Sequence, residues 1–356
     1  MKIRVNSWLR GAPRTAEYIF KQPQPFASCH ASTLVVLPDG CVLAAWFGGT
    51  KEGAGDVAIW CSRREHETWS APVKLAGKEG VPHWNPVLFQ SDDGQILLFY
   101  KVGRPIPMWQ TMVMTSDDEG RTWSTPRQLV PGDRGGRGPV KNKPIRLSNG
   151  DWLAPASVEG DVWDAFVDIS HDQGQSWTKS QLVPLNRPGP ETTPQPTSPP
   201  PVPELSFQGQ GIIQPTLWES KSGVVHMLLR STAGCIFRAD SRDGGRTWCT
   251  AYPTTLPNNN SGIDLTRLPK GDLVLAYNPV GENWGKRTPL VLSVSSDNGN
   301  TWEHSYTLEN EEGEYSYPAI VSRENEIYLT YTWKRERIAF WRMSVNLMPH
   351  PASSSR

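Results

Sequence analysis

Ser116-Asp117-Asp118-Glu119-Gly120-Arg121-Thr122-Trp123 is the stretch whose reading decides the fold. The pattern Ser-x-Asp-x-Gly-x-(Thr/Ser)-Trp returns at 170–177, 241–248 and 295–302, and a worn copy keeps Ser62 and Thr68-Trp69. The closing tryptophans stand at 69, 123, 177, 248 and 302, a spacing of 54 residues with one excess of 17. A fixed period of this length marks an array of equal structural units. Each unit carries the chemistry of a β-hairpin. Apolar runs at 109–114, 165–169 and 290–294 lead into an Asp-x-Gly turn. There the carboxylate can accept from nearby backbone N–H groups, Gly takes a positive φ without steric cost, and the Trp is expected to pack over the hairpin.

A second signal runs in phase with the first: an apolar strand, a polar turn ending in Gly or Asn, and another apolar strand. The turns are Pro38-Asp39-Gly40, Asp92-Asp93-Gly94, Ser148-Asn149-Gly150, Lys221-Ser222-Gly223, Pro269-Lys270-Gly271 and Arg323-Glu324-Asn325. Six units of about four strands each, with short edges to protect, predict an all-β chain closed radially as a six-bladed β-propeller of antiparallel blades. The boxes then lie on hairpin turns at the outer rim, where they specify the fold rather than the site.

Composition fits this reading: 31 Gly, 32 Pro and 16 Trp in 356 residues suit a turn-rich β-protein. The expectation is one domain over 1–350, with a Pro-rich loop insertion at 186–206 that absorbs the excess spacing and a disordered tail at 351–356. Either 3–8 or 18–20 is expected to pair with the last blade and close the ring. With 36 basic and 36 acidic residues the net charge is zero, which argues against nucleic acid as a partner. No apolar run approaches the roughly 20 residues of a membrane span. The N-terminus lacks the apolar core of a secretory signal, so a cytoplasmic location is expected. Five cysteines without metal-type spacing read as reduced thiols, and no metal or cofactor is implied.

A polar residue, often followed by Pro, precedes the inner strand of several units: Asn85, Lys143, Gln214, Asp264 and Tyr317. Inner strands of a propeller converge on its axis, so these side chains are expected to ring one mouth of a channel suited to a hydroxyl-rich ligand. Arg230 ends the apolar run at 224–229, and with Arg287 it can hold a carboxylate by paired charge-assisted hydrogen bonds. His30 and His83 stand at analogous places in the first two units and titrate in the range useful for acid–base work. Glu52 and Asp56 share a Gly-rich loop expected to overhang the mouth.

Asp boxes on such an array resemble the sialidase (neuraminidase) superfamily, over about residues 25–345. The resemblance implies three arginines for a substrate carboxylate, a Tyr nucleophile paired with Glu, and an Asp acid/base. His30, in His30-Ala31-Ser32, stands where the first arginine belongs. Arg230 matches the second and Arg287 the third. The acid/base position falls on Glu52, with Asp56 as the alternative. The Tyr-Ser signature appears as Tyr315-Ser316, with Tyr317 also eligible, and Gln214 replaces the Glu that activates the tyrosine. In its place His83, Asp264 or Glu314 could serve as base. The implied activity is exo-hydrolysis of a terminal acidic sugar, a sialic acid or a related ulosonic or uronic acid, from an oligosaccharide or glycoconjugate. A polysaccharide lyase with a His or Tyr base, or a glycan-binding propeller without catalysis, are the alternatives.

Overall fold

The computed structural model describes residues 14–187 and 210–345. The stretch 3–8, most of the Pro-rich segment and the C-terminal tail lie outside them. Among the described residues the regular structure is β-strand apart from a short 3-10 turn at Ile106–Met108. Three four-stranded sheets and a five-stranded one are antiparallel throughout. An eight-stranded sheet consists of two antiparallel halves joined by a short parallel pairing of Val162 and Trp163 with Gln210 and Gly211.

The first strands form a continuous series of contacts, from Gln210–Lys221 through Asp264–Arg267, Tyr315–Arg323 and Ser28–Val36 to His83–Gln90. Side chains stitch these inner strands together. Thr33 Oγ1 accepts from the Leu88 N–H at 3.0 Å, Thr216 Oγ1 from Leu265 N–H at 3.1 Å, and Asp264 Oδ2 from Ile320 N–H at 2.9 Å. The last sheet meets the first where Thr332 Oγ1 accepts from Ala31 N–H at 3.2 Å. Such a cyclic order of sheets is the radial arrangement of a β-propeller.

The strand that completes the last sheet is Arg14–Tyr18, paired with Arg337–Ser344. It contains Tyr18 of the expected 18–20 segment but ends there, because Ile19 and Phe20 leave the sheet to enter the apolar core beside Phe26 and Trp46. The inner turns carry positive φ at Gly40, Gly94, Gly150, Gly223 and Gly271 as the sequence predicts. In the sixth turn Glu324 rather than Asn325 adopts it, at 52°.

The boxes form as closed polar knots. In the first, Asp118 Oδ1 accepts from Ser116 Oγ and Thr122 N–H, both at 2.8 Å, and Oδ2 from Thr122 Oγ1 at 2.6 Å. Gly120 N–H donates to Ser116 Oγ. The hydrogen bonds with Thr122 hold the Asp118 carboxyl down to about 2. The box glycine also touches the neighbouring repeat unit. A Cβ on Gly120 would stand 2.7 Å from Leu43, and one on Gly245 would stand 2.6 Å from Leu153. All five cysteines are free.

Candidate active site

Four inner strands share one irregularity near their start. The register slips between His30 and Thr33, Trp84 and Val87, Ile213 and Thr216, and Ser316 and Ala319. At each slip a non-glycine residue takes positive φ: Ala31 at 53°, Asn85 at 43°, Gln214 at 51° and Tyr317 at 52°. Such conformations cost of order 1 kcal/mol or more each and gather at functional sites. Three of the four precede proline, whose missing N–H suits the interrupted ladder.

Tyr317 is the centre of what these bulges assemble. Its hydroxyl accepts from Arg230 Nη1 at 2.7 Å. The guanidinium carbons of Arg287 and Arg230 lie 5.5 and 5.8 Å from its ring centre, and Lys141 Nζ lies at 5.9 Å. The His30 ring is 4.2 Å away, centre to centre. Gly262 makes this closeness possible, since a Cβ there would meet the Tyr317 ring at 3.2 Å.

Arg230 is buried, with its guanidinium also 5.7 Å from the Trp163 ring. Its Nη1 donates to Gln214 Oε1 at 3.0 Å, and its Nε to Asn260 Oδ1 at 3.0 Å. Gln214 Nε2 in turn donates to Glu159 at 3.1 Å. Lys141 lies beneath, donating to Asn142 Oδ1, Ile263 O and Pro318 O. Burial lowers the Lys141 ammonium to about 7, against the pull of Asp264.

On the other side Glu314 spans two arginines. Its Oε1 accepts from Arg287 Nη1 at 2.7 Å and its Oε2 from Arg335 Nε at 2.9 Å. Burial pushes its carboxyl up, but Arg287 and Arg335 outweigh this and hold it far below the usual carboxylate range. Arg335 also pairs with Glu52. His30 is bonded to Thr332 Oγ1 at 2.8 Å, with Glu314 at 4.0 Å. Burial first, then the Arg335 charge, keep its imidazole well below its usual value, so His30 is neutral and offers a hydrogen bond rather than a cation.

The structure therefore gathers Tyr317, Arg230, Arg287, His30, Gln214 and Glu52 into one connected cluster. It separates others. Tyr315 turns into the apolar core beneath Lys334 and Trp333. Asp56 closes its own loop by accepting from the Thr50 N–H at 2.8 Å and hydroxyl at 2.6 Å. His83 is bonded to Val81 O at 2.9 Å and stacked on Tyr100. Lys143 and Asp264 pair with each other at 2.9 Å, and Thr216 and two backbone N–H groups take up the rest of Asp264. Lys143 also lines a cavity of about 370 Å³ with Gln90, Thr266 and Arg323, at the opposite ends of the inner strands. Asn85 occupies the same bulge position as Gln214 and Tyr317, and among the described residues its side chain has no hydrogen-bond partner.

Sequence reasoning missed Glu159, Lys141, Arg335 and Asn260. Glu159 had a signal, because it ends the second strand of its unit as Arg230 nearly ends its own. Arg335 had none, since it sits in the turn after Glu326–Trp333 and reaches the cluster only through the fold.

The sequence matches the family described as BNR repeat-like domain over residues 40–329. No curated protein matches it. Its fold is similar to that of a protein of unknown function from Dyadobacter fermentans, at 16% identity, with a TM-score of 0.72 over 95% of this chain and 100% of that one. The NanB sialidase of Streptococcus pneumoniae is similar at 14% identity, TM-score 0.70, over 93% of this chain and 70% of that one. A leech intramolecular trans-sialidase gives the same identity, TM-score and coverage. With the family model spanning most of the chain and a sialidase-like fold around its repeats, the chain belongs to the BNR repeat-like domain family.

Proposed function

We propose that the chain is a single-domain, six-bladed enzyme that hydrolyses a terminal acidic sugar from a glycoside at the Tyr317 cluster. The observation that carries this reading is the Tyr317 hydroxyl, bonded to Arg230 at 2.7 Å with Arg287 and Lys141 against its ring. A neutral phenol can approach an anomeric carbon beside a carboxylate with less repulsion than a carboxylate nucleophile, the exception to the two-carboxylate scheme that sialidases represent. Arg230, whose guanidinium has no carboxylate within ion-pairing distance among the described residues, anchors the sugar acid. Gln214 cannot take the phenolic proton; in this scheme the neutral His30 imidazole, its ring centre 4.2 Å from that of Tyr317 and tilted by 48°, receives it. Because Glu314 already fills the space between Arg287 and Arg335, the cation cluster is largely neutralised, which favours a uronic or unusual ulosonic acid over a strongly clamped one.

The test is a panel of 4-methylumbelliferyl glycosides of sialic, other ulosonic and uronic acids. One acidic glycoside is expected to turn over, and Tyr317→Phe is expected to lose roughly a thousandfold or more of that rate while Tyr315→Phe stays near wild type. Full activity in Tyr317→Phe, or inertness of the wild type on every acidic glycoside, overturns the reading. A lyase is the second reading, favoured by the His30–Tyr317 apposition in a site lacking a carboxylate beside the phenol. It predicts an unsaturated product absorbing in the near ultraviolet instead of a free reducing sugar alone.

A further inference from the structure

Glu159 is the carboxyl group of this mouth that the sequence did not single out. It closes the strand Trp152–Glu159 and meets the site through Gln214, whose amide links it to Arg230 and so to Tyr317. Four other carboxyls nearby are each committed. Glu52 pairs with Arg335, Glu314 with Arg287 and Arg335, and Asp264 with Lys143, while Asp56 caps Thr50. Glu159 has no cation at ion-pairing distance among the described residues. Its Oε1 accepts from Ser157 Oγ at 2.9 Å and Gln214 Nε2 at 3.1 Å. Its Oε2 has no hydrogen-bond partner among the described residues, and the residue is 8% exposed. A carboxyl with one oxygen anchored and the other left unpaired beside Gln214 and Arg230 has the geometry of a proton donor.

We propose that Glu159 is the general acid of this site, a catalytic residue that protonates the leaving oxygen from its free Oε2. The inference rests on the hydrolase reading above. As the anomeric C–O bond breaks, its electron pair leaves with the glycosidic oxygen, which takes the Glu159 proton. The Tyr317 oxygen forms the new bond to carbon, and its proton passes to His30. In the second half water loses a proton to the Glu159 carboxylate, its oxygen displaces Tyr317 from carbon, and His30 returns the phenolic proton. The charged groups facing Glu159 are Arg230 from Val224–Ser231 and Lys101 from Ile96–Val102. Burial outweighs both and raises its carboxyl above the usual range, whereas Glu314 is held ionised.

Glu159→Gln keeps the hydrogen-bond shape and removes the proton. On an acidic sugar carrying an alkyl or second-sugar leaving group it is expected to lose about 10²- to 10⁴-fold in kcat/KM, but far less on the 4-nitrophenyl glycoside, whose aglycone departs without protonation. The alkaline limb of the wild-type pH profile should vanish in the variant. In an infrared pH titration in D₂O the wild type should keep a protonated-carboxyl C=O band to higher pH than ordinary carboxyls, a band that Glu159→Gln lacks. Equal losses on both leaving groups, unchanged activity, or the absence of that band each overturn the assignment. A wild type that retains the band yet cleaves no acidic glycoside instead sinks the hydrolase reading, and the donor role falls with it.

Discussion

Tyr315 and Tyr317 lie two residues apart on one strand and should share a face, yet only Tyr317 reaches the cluster. The bulge between Ser316 and Ala319, with Tyr317 at a φ of 52°, rotates it toward Arg230 and leaves Tyr315 against Trp333. A similar decision at residue scale concerns Glu314, whose carboxylate lies between Arg287 and Arg335. Glu314→Gln removes the anion, leaving Arg287 without its carboxylate partner and Arg335 with Glu52 alone. The expected loss of stability is roughly 2 kcal/mol, below the range for a sealed pair because about a quarter of the Glu314 side chain is exposed. Its pH signature has a definite sign. A carboxyl whose folded pKa is depressed stabilises above the unfolded value, and that contribution fades as pH falls toward the folded one. Acid titration of thermal stability should therefore fall less steeply in Glu314→Gln than in the wild type below the ordinary carboxylate range; identical acid slopes would exclude the pairing as a stabilising contact.

At the scale of elements, the Asp boxes act as rivets between neighbouring repeat units as well as turns within them. Gly245 has a φ of 85° and faces Leu153 so closely that a Cβ would lie 2.6 Å from its Cδ2. Gly245→Ala therefore combines backbone strain with a clash, and a loss of about 2–3 kcal/mol is expected by chemical denaturation. A change within a few tenths of a kcal/mol would mean the contact is slack. A second rivet joins the sheets near the fourth box. His226 bonds Asp240 at 2.5 Å and Ser220 at 2.7 Å, while Asn298 from the next sheet lies 3.2 Å from the same ring nitrogen as Ser220. Arg238 and Tyr252 also bond Asp240, so this Ser-His-Asp arrangement is saturated by its neighbours and serves as a joint.

For the whole molecule, the closure is the strand Arg14–Tyr18, which covers the edge of Arg337–Ser344 and ties the last sheet to the first through the Glu17 bonds to Arg64 and Trp69. Removing residues 1–18 should expose that edge, lower the melting temperature by several degrees and promote association of copies, read by calorimetry and light scattering. A truncated chain that melts and sediments as the wild type would show that the ring closes without it.

The repeat was legible in the sequence because box and turn depend on local rules: Asp accepting N–H groups within four residues, and Gly at a positive φ. Arg230 and Arg287 were legible by position, and Tyr317 as one of two candidates. The partners that give these residues their chemistry were not. Arg335 to Glu52 and Glu159 to Gln214 cross 283 and 55 positions of chain. Their approach is set by how sheets fan around the axis. Local pattern thus determined the sheets and their order, whereas the tertiary structure decided which carboxyls are paired with cations and which one keeps an oxygen free. Burial and distance fix ionisation, and neither is written in the spacing of residues along the chain.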